Sequence, residues 1–137
     1  MNRSKLRETV FKLLFRAEFN DIQEMPEQTG LFFELEDKVD ERPISDEDRE
    51  AIKVREEAIL EKLPEIDKLI DEKTEGWTVS RMGKADLAII RLAVYEIVFD
   101  DNIPASVAIN EAVELAKKYG QDNSASFVNG VLAKFAK

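Results

Sequence analysis

Leu87-Ala88-Ile89-Ile90-Arg91-Leu92-Ala93-Val94-Tyr95-Glu96-Ile97-Val98-Phe99 is the most apolar run in the chain. With successive residues about 100° apart on a helix, Leu87, Ile90, Val94 and Ile97 share one face, and Ala88, Ile89 and Ala93 fill other sides. A helix apolar on several sides must be covered by others, so this segment is expected to be central and surrounded. Arg91 and Glu96 are expected to form an internal ion pair or cap contacts, and Tyr95 to lie in the core with its hydroxyl hydrogen-bonded.

Downstream, Pro104-Ala105-Ser106 opens another helix. Val107, Ala108, Ala112, Leu115 and Ala116 run down it to Gly120, which stands where a left-handed C-terminal stop would. The last helix starts at Asn123 or Ser124, either of which can cap it, and carries Phe127, Val128, Val131, Leu132 and Phe135. Asn110 and Asn129, inside these helices, read as partly buried amides bonded to neighbouring backbone.

Upstream, Gly76-Trp77-Thr78 reads as a turn, with Trp77 an aromatic anchor between helices. Asp71 to Gly76 mimics a calcium loop, but Lys73 holds a ligand position and Met82 stands where the bidentate acid belongs. That reading is rejected. Ile44-Ser45-Asp46-Glu47-Asp48 begins a helix capped by Ser45, with Ala51, Ile52, Ile59, Leu60 and Leu63 on its core face. Pro64 is expected to break or restart it, before a short helix with Ile66, Leu69 and Ile70. Asp21 to Pro43 is the least regular part, with a possible second helix around Leu31, Phe32, Phe33, Leu35 and Val39. The whole reads as six or seven helices with no convincing strand: an all-α fold in a single domain, residues 1–137.

Composition narrows the chemistry. The 137 residues include no Cys and no His. Disulfides, thiol nucleophiles, thiolate metal sites, serine-type triads and HExxH zinc sites are therefore excluded. The five glycines are isolated, so there is no Walker loop or GxGxxG turn, and no carboxylate pair is marked for acid–base work. No catalytic residue, metal or cofactor is expected. Asn2 to Arg16 lacks the apolar core of a signal peptide, and no segment suits a membrane, which points to the cytoplasm.

The net charge of −9 is unevenly spread. Met1 to Arg16 carries Arg3, Lys5, Arg7, Lys12 and Arg16 against Glu8 alone, or +4, leaving 15 basic and 28 acidic groups, or −13, on the other 121 residues. Such an asymmetry suits a polyanion at the basic end, and it also suits a merely solvated helix. Leu6, Val10, Leu13, Leu14 and Ala17 make residues 3–19 an amphipathic helix. Lys5, Lys12 and Arg16 lie opposite the apolar stripe, and Arg3 and Arg7 flank its edge. Phe11, Phe15 and Phe19 form a further strip that serves either as packing surface or as a stacking platform for unpaired bases.

Three elements in order carry a resemblance: Ala88-Ile89-Ile90-Arg91-Leu92-Ala93-Val94-Tyr95-Glu96-Ile97; Pro104 followed by Val107-Ala108-Ile109-Asn110-Glu111-Ala112-Val113-Glu114-Leu115-Ala116-Lys117; and Phe127-Val128-Asn129-Gly130-Val131-Leu132. Together they resemble the NusB family of bacterial transcription antitermination factors, closely over residues 80–135 and more loosely around Arg7-Glu8. The resemblance implies a compact helical domain of two packed bundles. It also implies binding of boxA RNA together with NusE, a protein of the small ribosomal subunit, and antitermination by RNA polymerase with other Nus factors.

By the same resemblance, Arg3, Lys5 and Arg7 carry the RNA surface of the N-terminal helix, and Phe15 is an aromatic near the RNA. Asn123 and Phe127 match the edge that faces RNA and NusE. Ser4 and Leu6 interrupt what is often a continuous arginine run in the family, which implies weaker phosphate binding. Some relatives self-associate, so a homodimer is a further expectation. Two other readings stay open: the RNA-binding module of an RNA methyltransferase, and a helical adaptor that binds only protein.

Overall fold

The computed structural model describes residues 1–39 and 43–136. Six α-helices and no strand occur among the described residues: α1 Arg3–Ala17, α2 Met25–Val39, α3 Asp46–Lys73, α4 Lys84–Phe99, α5 Ala105–Tyr119 and α6 Ser124–Ala133. Single 3₁₀ turns at Ile22–Glu24 and Val79–Arg81 join them. No helix among these residues is long and apolar enough to cross a membrane. The contacts divide the chain into two units, Met1–Leu60 and Glu61–Lys137.

In the first unit, α1 starts where Asn2 Oδ1 accepts the Lys5 amide at 2.7 Å. Val10, Phe11, Leu13 and Leu14 are buried, with Met25, Phe32 and Phe33 of α2 and Ile52 and Ile59 of α3. Each fully buried side chain of this size contributes about 1.5–3 kcal/mol. Pro26 lies in the first turn of α2, where a missing N–H costs no helical bond. The "least regular" region thus contains a full helix; the Val39 side chain, expected in its apolar patch, lies outside the described residues. Leu31 and Leu35 from that patch are exposed.

Ser45 caps α3 as expected, its Oγ accepting the Asp48 amide at 3.1 Å. Ala51 is exposed rather than part of the core face. Pro64 does not break the helix, and α3 runs through it for 28 residues. Proline removes the bond to the Leu60 carbonyl and crowds that carbonyl, but Pro64 is exposed, so its ring displaces no packed side chain. Burial of Ile59 before it and of Ile66 and Ile70 after it outweighs that loss.

In the second unit, α4 buries Leu87, Ala88, Ile89, Ile90, Leu92, Ala93 and Val94, as its apolarity predicts. It packs against both α5 and α6. Arg91 pairs bidentately with Asp67 of α3, Nε to Oδ1 at 2.9 Å and Nη2 to Oδ2 at 2.7 Å, an ion pair whose acid the sequence did not single out. Asn110 and Asn129 are exposed, not partly buried. Gly76 has φ +79°, the left-handed value a turn after α3 requires.

Candidate nucleic-acid interface

The residues expected to bind RNA fall into two groups, one in each unit. Arg3, Lys5, Arg7 and Phe15 lie along α1, and Asn123 and Phe127 lie at the start of α6. At about 1.5 Å rise per residue, Phe15 stands some 18 Å along the helix from Arg3.

Most of the N-terminal cations are already engaged. Lys12 Nζ reaches Glu36 of α2 at 3.8 Å. Arg16 donates to Gln28 Oε1 at 3.3 Å and lies 5.4 Å over the Phe32 ring. The basic strip of α1 is thus partly where α2 packs, which periodicity alone does not reveal. Lys5 pairs with Glu8 at 3.2 Å while staying substantially exposed. The terminal amine meets Asp48 at 3.3 Å. Arg7 is buried, at 9% exposure, so a charge reversal there perturbs the fold as well as any ligand site. Arg3 is exposed and makes no ion pair among the described residues.

The same row explains the phenylalanines. Residues 7, 11, 15 and 19 recur at i+4, and each step drifts about 40° round a helix. Arg7 and Phe11 are buried, Phe15 is half-buried, and Phe19 is 61% exposed. The rings form a chain from core to surface, with centroids 6.3 Å apart for Phe11–Phe15 and 5.2 Å for Phe15–Phe19. Phe11 is packing; Phe19 is available for contact, and Phe15 joins the two.

The second group is built around Gly120. Its φ of −92° and ψ of −165° are extended, not left-handed. Glycine is needed for space instead: a Cβ there would lie 2.4 Å from Ser124 Cβ, 2.5 Å from its Oγ and 2.7 Å from the Ala116 carbonyl. The close approach lets buried Ser124 Oγ accept the Gln121 amide at 2.9 Å. Ser124 therefore ties the corner between α5 and α6 rather than capping α6. Asn123 occupies the cap position without a side-chain cap bond, leaving its amide exposed.

This corner borders a cleft of about 300 Å³. Asn123, Ser124 and Phe127 line it from α6, Tyr119 from α5, and Lys84 and Asp86 from the first turn of α4. Trp77 closes another side, its ring 5.2 Å from Phe127 in an edge-to-face arrangement. Trp77 is 49% exposed, so it is less an internal anchor than a cleft wall. The sequence signalled its turn but not its neighbour, because Phe127 lies fifty residues further along.

No group of three or more acidic side chains that could hold a metal occurs among the described residues. What the two groups offer is aromatic surface, amide hydrogen-bonding and modest positive charge, the means by which single-stranded RNA is bound.

The family model described as "NusB family" matches residues 4–137. The chain is 60% identical over 136 residues to a protein of Agathobacter rectalis named transcription antitermination protein NusB, covering 99% of this chain and 100% of that one. Among solved structures, T. maritima NusB superimposes with a TM-score of 0.80 at 34% identity, over 99% of this chain and 91% of that one. The NusB chain of a structure of antitermination factors NusB and NusE in complex with dsRNA shares the fold at a TM-score of 0.77 and 24% identity, over 97% and 94% of the two chains.

Proposed function

The chain belongs to the NusB family, and from that premise we propose that it is a transcription antitermination factor that binds boxA-type RNA together with NusE. The observation that carries this reading is the match, over 99% of this chain and 100% of the other, to a relative named transcription antitermination protein NusB. It acts by assembly, without a chemical step of its own. Arg3 and Lys5 attract phosphate, Phe15 supports the exposed Phe19 edge, and Asn123 with Phe127 offers an amide and a ring to bases or to NusE. Arg7 contributes from its buried position by holding the start of α1. The finer consequences are joining RNA polymerase with other Nus factors, action in the cytoplasm, and a single working domain from both units. Self-association over the same surface is a competing state, which sedimentation at several concentrations tests.

The engagement of Lys5, Lys12 and Arg16 by neighbours favours one alternative, an adaptor that binds only protein. Fluorescence anisotropy separates the two. A labelled boxA-like RNA and a scrambled control are titrated with the protein, alone and with NusE, at two salt concentrations. Preferential binding that tightens with NusE and weakens with salt is expected. Binding of NusE with no affinity for either RNA would establish the adaptor instead.

A further inference from the structure

We propose that Trp77 is a base-stacking residue, and that its cleft with Phe127 and Asn123 receives one unstacked base of single-stranded RNA. The proposal rests on the RNA-binding reading above and adds a residue that neither the N-terminal cations nor the α6 edge includes.

The ring is held in place before any ligand arrives. Thr74 Oγ1 is bonded to the Trp77 carbonyl and to that of Ile70, fixing the backbone behind the indole. Arg81 donates to the Gly76 carbonyl at 3.0 Å and places its guanidinium 5.8 Å over the Trp77 ring. Phe127 meets the ring edge-on, at 65° between planes. A large aromatic side chain fixed on three sides yet half in water is poor core packing and a good platform. Its exposed surface requires no reorganisation on binding, so little ordering cost is incurred.

The cleft suits a base better than a phosphate. Lys84 and Asp86 both line it and offset each other, and the nearby Arg81 guanidinium is engaged with the Gly76 carbonyl and the Trp77 ring, so the cleft is not built around a cation for an anion. About 300 Å³ is at the small end of ligand pockets and fits one flat ring system. The Asn123 amide, with a donor and an acceptor and no cap bond to satisfy, can pair with a base edge at the rim.

Trp77 is the only tryptophan, so intrinsic emission reports on this position alone. A short boxA-like RNA is titrated into the full chain, reading tryptophan emission and the anisotropy of labelled RNA in parallel. The expected result is quenching with the same midpoint as the anisotropy, and protection of the emission from acrylamide. Trp77→Ala should weaken binding about 5- to 150-fold, the range of one base–aromatic stack, and Trp77→Phe should restore most of it. The wild-type emission keeps the test decisive even if Trp77→Ala fails to fold. Undiminished RNA binding with unchanged emission would overturn the stacking role and leave the RNA reading intact. Emission altered by NusE but not by RNA would make the cleft a protein contact and overturn it too. No RNA binding in either readout would overturn both readings.

Discussion

Glu56 of α3 is buried, and the Thr29 hydroxyl of α2 serves both its oxygens, at 2.8 Å to Oε1 and 3.1 Å to Oε2. Burial pushes its carboxyl above the ordinary value of 4.5; Glu57 adds to the rise, while the Thr29 bond and Lys53 oppose it. The folded state therefore holds a proton that the unfolded chain has lost between 4.5 and the raised value. Stability falls as pH rises through that window, because the native state must give up the proton in a poorly solvated place. Glu56→Gln removes the titration while keeping an oxygen for Thr29. The gain in melting temperature of Glu56→Gln over wild type is expected to grow as pH rises above 4.5; a pH-independent difference would count against it. Gly120 gives a second test at this scale. Gly120→Ala forces a Cβ into Ser124 and the Ala116 carbonyl, and should cost about 1–3 kcal/mol in urea unfolding. An unchanged midpoint would mean that the corner between α5 and α6 relaxes freely. Gly120 also marks what the sequence conceals: a glycine after a helix suggests a left-handed stop, whereas here it makes room for a neighbour's side chain.

Among the elements, α4 was the most legible, because its apolarity on several sides can be satisfied only by surrounding helices. The Ser45 cap and the Gly76 turn were equally plain, since each is a local demand met by local residues. Pro64 was misleading for the opposite reason. The local rule is real, but it competes with burial along the rest of α3, and a sequence does not weigh the two. Pro64→Ala should restore the bond to the Leu60 carbonyl. An interior proline costs about 3 kcal/mol relative to alanine, and the stiffer unfolded chain returns about 0.4–1 kcal/mol of that. A stabilisation of about 2 kcal/mol is expected in denaturant unfolding, with no packing lost at an exposed position. A destabilised variant would mean that the proline supports a local geometry that a regular helix cannot adopt. Likewise, the basic strip of α1 was legible as a strip. That Lys12 and Arg16 would face α2 was not, because pairing with Glu36 and Gln28 depends on how two helices meet.

At the scale of the whole molecule, the charges set how RNA binding must respond to salt. The sequence suggests five cations at the N-terminal end, and single-stranded RNA gives a logarithmic salt slope of about −0.7 per phosphate contact. Five free cations would give a slope of about −3.5. Lys12 and Arg16 are held by α2 and Arg7 is buried, so Arg3 and Lys5 remain, and Lys5 already has Glu8. Two contacts predict a slope of about −1.4. The remainder of the chain is acidic and repels RNA, a repulsion that added salt screens, so the observed slope should be no steeper. Arg3→Ser should flatten it by about 0.7, and Lys12→Ser should leave it unchanged. Anisotropy titrations at four salt concentrations measure both. A slope near −3.5 in the wild type would mean that Lys12 and Arg16 leave α2 when RNA binds. Since a shallow electrostatic term cannot by itself hold an RNA to an anionic protein, a slope near −1.4 is the result expected if affinity comes from the stacking proposed at Trp77 and Phe127 and from the partner.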